Sequence, residues 1–582
     1  MTASNPHISC MPQNAVNLQG ILGSTLHNTI LNRLNTVNYQ NMVDIFRYRN
    51  ETDNRWRCEF WGKVVRSAVW CLRSEKNPEL EEKIHETVRD ILSTQTDDGC
   101  ISSYPEDRQL KAWDIWGRKY VMIALLRYYD TLDPAPKVKN ALTRMLDHLI
   151  AQLNGRPLQE FGEHHGLAAC SILGAVVGIY RITGEKRFLD FAKNIVGAGC
   201  CSKHNIFEEV LKGTPPCELS NGKAYEMMSC FQGLADYYVY DPQPQYKEAI
   251  LKFFDAVRTQ EIFITGGGGM LDVVGEYWYN GKQNQTRLDA GANGETCVTV
   301  TYLHLCDAVM RLTNTPVPAM ETVHTTCNAL LGAVRNDGRF WCHANPTPLA
   351  GASSKVPASD QMTQQRTTPF DGHDCCIAQG PEGLALAAMN AVMRTPDGLA
   401  IHYFEPMKID LSSITGAKST LIIEGNYPFD GKLSMKMTLQ DSAIFSLHLL
   451  IPQWQKTPLQ IKVNDQIYTG TPGEYLVIDR NWMDGDVIQF ELDYSLRKEI
   501  SPDGKFKAFL AGPLVLARDS RFGGDINVPP PDDLQYTRCT EQENSWTHFV
   551  YRLSDGTFLC DYISAGNYFL PGNLLRVWHD LK

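Results

Sequence analysis

Apolar residues are spaced in two different ways along this chain. From about residue 21 to 397 they recur every three to four positions. In Leu26-His-Asn-Thr-Ile-Leu-Asn-Arg-Leu34 they stand at i, i+4, i+5 and i+8. That period predicts amphipathic helices. One unit then repeats. A helix closes on an aromatic or Leu-Arg pair, a short turn carries Thr, Glu, Asp or Pro, and a second helix begins. It is legible at Val69–Leu80, Leu126–Pro134, Ile179–Asp190, Leu234–Pro242 and Val309–Pro316. Helix pairs repeating every 50 to 70 residues or so predict a closed (α/α)6 toroid or an open helical solenoid. Long loops inserted between the pairs favour the toroid, since such loops gather at one end of a helical ring and carry a site.

After Gly398 the period falls to two. Lys432–Leu439, Ile444–Leu449 and Leu459–Val463 alternate, and Asp430-Gly431, Asn464-Asp465, Pro472-Gly473 and Asp484-Gly485 mark turns between them. Short alternating strands at regular spacing predict a β-sandwich. The expected organisation is therefore α+β: an N-terminal arm at 1–20, a helical toroid at 21–397 and a β-sandwich at 398–500. The Pro-rich stretch Asn527–Asp533 lies in a further β-rich segment at 501–582.

Composition narrows the function classes. A chain of 582 residues exceeds one hydrophobic core and divides into two or three domains. Its net charge of -11 argues against nucleic acid or an anionic membrane surface as partner. No uninterrupted apolar run long enough to span a membrane is read. The first residues lack a basic segment followed by an apolar one, so the expectation is a cytoplasmic protein. Seventeen cysteines spread over the chain do not make a disulfide scaffold. Cys71, Cys170, Cys230, Cys306 and Cys327 fall inside apolar helical patterns and read as buried thiols.

Four residues stand apart from that pattern. Cys375 and Cys376 are adjacent, and Gly294-Glu-Thr-Cys297 lies upstream. Glu295, Cys297, Cys375 and Cys376 make one carboxylate and three sulfurs, a set suited to four-coordinate zinc. Glu295 and Cys297 would point about 200° apart on a continuous helix. They share a metal only if the helix starts at or after Thr296, and the glycine-rich Gly291-Ala-Asn-Gly294 suits such a start. Asp374 and His373 read as loop or supporting residues.

Two further stretches are candidates. Glu276 follows the run Gly266–Gly269 and is flanked by Tyr277, Trp278 and Tyr279. Aromatic surroundings raise a carboxyl pKa, which suits general acid work, and aromatic faces stack on sugar rings. The glycine run lacks the Gly-Lys-Ser/Thr of a phosphate cradle. Trp61-Gly-Lys63 and Trp113–Tyr120 form an aromatic and basic group, with Trp116, Lys119 and Tyr120 on one helical face. Both core packing and ligand contact fit it.

Taken together, these stretches resemble glycoside hydrolase family 127, the DUF1680 group founded on β-L-arabinofuranosidase activity. The resemblance spans nearly the whole chain. It rests on Trp61-Gly-Lys63, Trp113–Trp116, Tyr225–Cys230, Gly275–Trp278, Glu295–Thr301, Asn328–Gly332, Cys375-Cys376, Tyr427–Gly431, Ile451–Trp454 and Ala511–Leu516. It implies an (α/α)6 barrel with C-terminal β-sandwich domains, and a zinc held by Glu295, Cys297, Cys375 and Cys376. Cys375 would be the nucleophile and Glu276 the acid/base of a retaining exo-glycosidase acting on an oligosaccharide. A homodimer is also expected.

The resemblance further implies that Trp61, Lys63, Trp113, Trp116, Lys119, Lys223, Tyr277, Trp278, His373 and Gln379 line the sugar pocket. The founding branch follows its cysteine pair with a Pro-Asn-x-x-Arg stretch, where this chain has Ile377–Gly383. Ser171 and Lys223 stand where that branch carries histidines. The sugar is therefore expected to be a furanose-type or anhydro unit, such as β-L-arabinofuranose, 3,6-anhydro-D-galactose or an aceric-acid-like unit. The alternative is a non-catalytic carbohydrate-binding protein whose zinc is structural. A zinc that activates water is disfavoured, because four protein ligands leave no open position.

Overall fold

The computed structural model describes residues 7–51, 56–269, 276–286, 293–346, 374–539, 546–567 and 574–581. His373, Gly275 and the turn at 291–292 lie outside the described residues.

Among the described residues twelve helices build a ring of pairs. In chain order they are α1 (Ile21–Asn32), α2 (Phe60–Ser74), α3 (Pro78–Ser93), α4 (Asp114–Thr131), α5 (Pro136–Leu153) and α6 (Leu173–Thr183). The second half comprises α7 (Lys186–Ala198), α8 (Ala224–Tyr238), α9 (Pro244–Ala256), α10 (Thr296–Thr313), α11 (Pro316–Thr325) and α12 (Cys375–Ala391). The even-numbered helices form the inner ring. α2 packs on α4, α4 on α6, α6 on α8, α8 on α10, α10 on α12, and α12 returns to α2. That last contact closes the toroid and excludes the open solenoid.

The two rings differ in burial, and the sequence explains how. Outer helices are amphipathic: α3 buries Leu80, Ile84, Val88 and Ile91 on one stripe, each worth about 1.5–3 kcal/mol. Inner helices are covered on all sides. α2 buries every residue from Phe60 to Leu72. Gly62 permits close approach of α2 to α4, since a Cβ there would stand 2.4 Å from the Tyr120 backbone. Asn77 accepts from Leu80 N and starts α3 with Pro78 at its first position.

Residues His164–Thr183 are long and apolar enough to cross a membrane, contrary to the expectation that no such run exists. They form the bent entry to α6, and 67% of their most apolar window is buried. Their composition serves the inner ring.

The β region begins at Val392, directly after α12. One sheet has five strands: Ser9–Cys10, Val392–Thr395, Gly398–Ile401, Ala443–Leu450 and Tyr475–Trp482. A second has seven, with Lys432–Leu439 at its centre and Val16–Leu18 at one edge. Their facing residues, including Leu447, Leu449, Met435 and Met437, share one core. Lys432–Leu439 alternates exposed and buried as its period demands. The N-terminal arm supplies edge strands to both sheets, with Ser9 opposite Arg394 and Val16 opposite Ile409. Arg497–Ile500 belongs to the next sheet, which has eight strands and continues to Asp580. All seventeen cysteines are free thiols.

Candidate active site

The inner helices α10 and α12 begin side by side, and their first residues carry the thiols. Glu295 is the last residue of strand Asn293–Glu295 and has extended backbone, with φ -76° and ψ 136°. The helix starts at Thr296, so Glu295 and Cys297 are freed from the opposed directions of a continuous helix. The strand pairs with Ala344–Pro346, placing Glu295 opposite Ala344. Thr296 N donates to His343 O at 3.0 Å, and Thr296 Oγ1 donates to Cys342 O at 2.7 Å. Behind the strand, Glu295 N donates to Gly268 O at 2.9 Å. The glycine run therefore serves close backbone packing. On α12, the Asp374 carboxylate caps the helix by accepting from Ile377 N at 2.8 Å. One turn on, Gly380 lies against Trp341, where a Cβ would stand 2.2 Å from the indole. That approach brings Trp341-Cys342-His343 onto the start of α12.

Cys376 Sγ is the centre of the resulting group. It lies 3.5 Å from Glu295 Oε1, 3.5 Å from Cys297 Sγ, 3.8 Å from Cys375 Sγ and 3.7 Å from His343 Nδ1. Cys375 Sγ stands 3.9 Å from Glu295 Oε1 and 4.0 Å from His343 Nδ1. Ligands at zinc-like bond lengths of 2.0–2.3 Å occupy tetrahedron corners about 3.3–3.8 Å apart. The four distances from Cys376 Sγ fall in that range, and those from Cys375 Sγ to Glu295 and His343 are slightly longer. One donor atom from each of Glu295, His343, Cys375 and Cys376 falls within 4.8 Å of the others. Glu295 Oε2 is buried and accepts no hydrogen bond, an expense that a bound cation would offset. The donor set suits a thiophilic metal.

The electrostatics single out Cys375. Hydrogen bonds from Cys297 and Cys376 hold its thiol well below the ordinary range, and His343 adds to the effect. Burial pushes Cys297 and Cys376 well above theirs. Against desolvation, the hydrogen bond to Cys375 pushes His343 up to about 10. The group's first negative charge therefore falls on Cys375, which is also partly accessible while Cys297 and Cys376 are buried. Burial raises the Glu295 carboxyl, and the charges of Glu276 and Cys375 raise it further. Glu276 is thus close enough to act on the thiol group electrostatically.

Glu276 has a different setting from the one expected. Its carboxylate is ion-paired with Lys223 Nζ, in hydrogen-bond contact, and its side chain is 24% exposed. The partner is an ammonium, where an aromatic enclosure was expected. The backbone explains the meeting: Tyr277 bridges Lys223 in an isolated β-pair, and Ala224 N donates to Glu276 O at 3.0 Å. Against its burial, Glu226 and Glu276 hold the Lys223 ammonium above its ordinary range. Beside the pair, Trp113, His164 and Tyr277 make a partly exposed aromatic wall. The His164 ring is 5.5 Å from Trp113 and 6.1 Å from Tyr277. Burial and then Lys223 pull His164 down to about 4, so it is neutral at pH 7.

Several expected pocket residues belong to the core. Trp61 is fully buried and donates from Nε1 to Thr87 Oγ1 at 2.9 Å, because its side of α2 faces α3. Trp278 is 3% exposed and covers Gly268. Gln379 is buried between α10 and α12, with Nε2 donating to Thr301 Oγ1 at 3.4 Å.

Lys63, Lys119 and Trp116 form a floor beneath the thiols. Lys63 pairs with Glu59 at 3.0 Å. Lys119 Nζ lies 3.6 Å from the Trp116 ring centre and donates to Ser171 Oγ at 3.1 Å. Burial, then Arg66, pulls Lys119 well below its ordinary range. Trp116, Tyr225, Cys297 and Cys376 share one small apolar cluster. His343, His164 and Glu59 escaped notice because none sits in a patterned motif. Only the Glu163-His-His-Gly166 doublet offered a signal, and both histidines there take positive φ.

Comparison with known proteins places the fold in a family. The GH127 β-L-arabinofuranosidase catalytic-domain family model matches residues 15–388, and the middle-domain model of the same family matches 398–494. No curated protein sequence matches the chain. A GH127 β-L-arabinofuranosidase from Geobacillus stearothermophilus T6 superposes with a TM-score of 0.76 at 17% identity, covering 97% of this chain and 100% of that one. The GH127 β-arabinofuranosidase BT3674 gives a TM-score of 0.78 at 18% identity, covering 99% of this chain and 98% of the other.

Proposed function

The chain belongs to the GH127 β-L-arabinofuranosidase family and is a glycoside hydrolase, and from that premise we propose a retaining exo-glycosidase with Cys375 as nucleophile and Glu276 as acid/base. Its substrate is an oligosaccharide ending in a furanose-type or anhydro sugar: β-L-arabinofuranose, 3,6-anhydro-D-galactose or an aceric-acid-like unit. The Cys375 thiolate attacks the anomeric carbon while Glu276 gives its proton to the departing glycosidic oxygen. The sugar is then held on Cys375 through a carbon–sulfur bond. Glu276, now a carboxylate, takes a proton from water as the water oxygen attacks the same carbon and the thiolate departs. Two inversions retain the configuration.

Lys223 fixes the Glu276 carboxylate through the ion pair between them. Trp113, His164 and Tyr277 supply the apolar and hydrogen-bonding wall for the sugar. Glu295, Cys297, Cys375 and Cys376 are assigned as holders of a zinc ion, with His343 hydrogen-bonded to Cys375. Zinc bound there keeps its sulfur ligands deprotonated at neutral pH.

The observation that carries the proposal is the asymmetry of the three thiols. Cys375 alone is partly accessible, and its thiol is held below the ordinary range while burial pushes Cys297 and Cys376 above theirs. Intact-protein mass spectrometry during turnover of an aryl β-L-arabinofuranoside tests it. The expected result is a one-sugar adduct on Cys375 that is absent in Cys375→Ser, together with loss of turnover. Full turnover by Cys375→Ser removes the nucleophile from the scheme. A folded, zinc-loaded wild type inert to every furanoside and anhydro-sugar glycoside favours the non-catalytic alternative.

A further inference from the structure

A second cavity lies between the helical ring and the β region, with a volume of about 600 Å³. Arg258, Lys282 and Glu321 line it from the ring, and Gln453, Trp454 and Arg497 from the β side. Among the described residues none of its lining belongs to the thiol group or the Glu276 wall. Ligand sites of this size favour domain interfaces.

The lining has the chemistry of a saccharide site. Trp454 is half-buried, and among the described residues its indole N–H has no hydrogen-bond partner. Tyr494 meets it edge-on at 6.0 Å, and the Arg497 guanidinium lies 5.4 Å from its ring centre. An indole braced on its flank, with a free N–H, offers a platform for a sugar ring. The exposed Gln453 amide has no partner either. Glu321 accepts from Tyr302 OH at 3.0 Å through one oxygen, leaving the other available. Hydroxyl recognition needs this mixture of fixed donors and acceptors.

Charge narrows the ligand. Arg258 is paired with Asp255 at 2.6 Å and Lys498 with Asp532 at 3.2 Å. Among the described residues Lys282 and Arg497 have no carboxylate within ion-pair distance. Arg497 Nη2 donates to Gly512 O at 2.9 Å, while Nη1 is buried and without a partner among the described residues. Lys282 and Arg497 therefore share the cleft with the carboxylates of Glu321 and Glu499, so that donors and acceptors of both charges line it. Guanidinium and ammonium groups recognise carboxylates through charge-assisted hydrogen bonds.

We propose that this interdomain cleft is a second saccharide site, which takes a carboxylate-bearing sugar residue of an oligosaccharide and is separate from the catalytic pocket. Trp454 stacks on the ring, Lys282 and Arg497 engage the carboxylate, and Gln453 and Glu321 meet hydroxyls. A chain held here is confined near the catalytic end of the ring, which raises its local concentration there.

Isothermal titration calorimetry of the intact protein with trigalacturonate tests the proposal, with neutral galactotriose as control. The expected result is one binding event, weakened about tenfold or more in Lys282→Gln and in Trp454→Ala, and unchanged in Cys375→Ser. Galactotriose binds at least about tenfold more weakly. Lys282 is partly exposed and unpaired, so Lys282→Gln folds normally and turns over an aryl glycoside as wild type does. Four outcomes overturn the proposal: no binding of trigalacturonate, binding unaffected by both cleft variants, binding lost in Cys375→Ser, or equal binding of the neutral trisaccharide.

Discussion

Glu59 and Lys63 lie beneath the thiol group, 3.0 Å apart, with side chains 5% and 2% exposed. Glu59 also accepts from Trp116 Nε1 at 2.5 Å, and Lys63 faces the rings of Tyr120 and Tyr225 at 5.1 Å. Two unit charges at this separation attract by roughly 5 kcal/mol at an effective dielectric near 20. Burying each costs several kcal/mol, so the pair nearly balances while either partner alone does not. Glu59→Gln keeps an oxygen for Trp116 but leaves Lys63 charged and unpaired. Lys63→Met leaves the carboxylate in the same position.

Each single change should therefore cost about 3–5 kcal/mol. In a helical domain of roughly 370 residues, unfolding entropy is on the order of 0.8 kcal/mol/K, so Tm falls by about 4–6 °C. The double variant removes both charges, and its loss should not exceed that of either single variant. Scanning calorimetry of the four proteins at one scan rate measures the cycle. A double variant whose loss equals the sum of the singles would show that the two charges do not compensate each other. The mutual neutralisation reasoned here would then be refuted.

Glu276→Gln should lower kcat by about 10²–10⁴-fold, with a larger loss for alkyl than for nitrophenyl leaving groups. Equal losses on both would remove Glu276 from leaving-group protonation. Cys297→Ala should weaken zinc retention against a chelator by about 10²–10³-fold, taking one ligand's share of a structural zinc affinity. His343→Ala should weaken it by about 10–100-fold as a supporting hydrogen-bond partner. The reverse order would place His343 in the ligand set. Gly380→Ala drives a methyl into Trp341 and should lower zinc content and turnover together, because the segment Trp341–His343 must move.

Burial pushes Glu405 up to about 7, although Leu22 N and Gly23 N donate to it at 2.9 and 3.0 Å. A carboxyl raised on folding supports the fold when protonated. Its contribution is fully present below the unfolded pKa and is lost as pH rises through about 7, a change of about 3 kcal/mol. Tm of the helical transition should fall between pH 5 and 8, and Glu405→Gln should flatten that slope.

Local pattern carried much of this protein. The 3.6-residue period of Val69–Leu80 and its repeats, and the two-residue period of Lys432–Leu439, are properties of neighbouring residues and persist in the folded chain. The conjunction of Glu295-x-Cys297 with Cys375-Cys376 was also legible, because helix starts place their first residues at a predictable end.

Direction and distance were decided only by the tertiary structure. A helix such as α2 is buried on every side and carries Lys63 and Arg66 among its apolar residues, so its sequence does not say whether Trp61 faces the ring axis or the outer layer. Packing on Thr87 turns it outward. His343 joins the thiols because Gly380 admits Trp341 against α12, a contact between segments that no period links. Glu276 meets Lys223 through an isolated bridge between two loops, which replaced the expected aromatic enclosure with an ion pair. The cleft under Trp454 exists only because the ring and the β region pack against each other. Periodicity reports which face of an element avoids water, whereas packing of distant segments selects what that face meets.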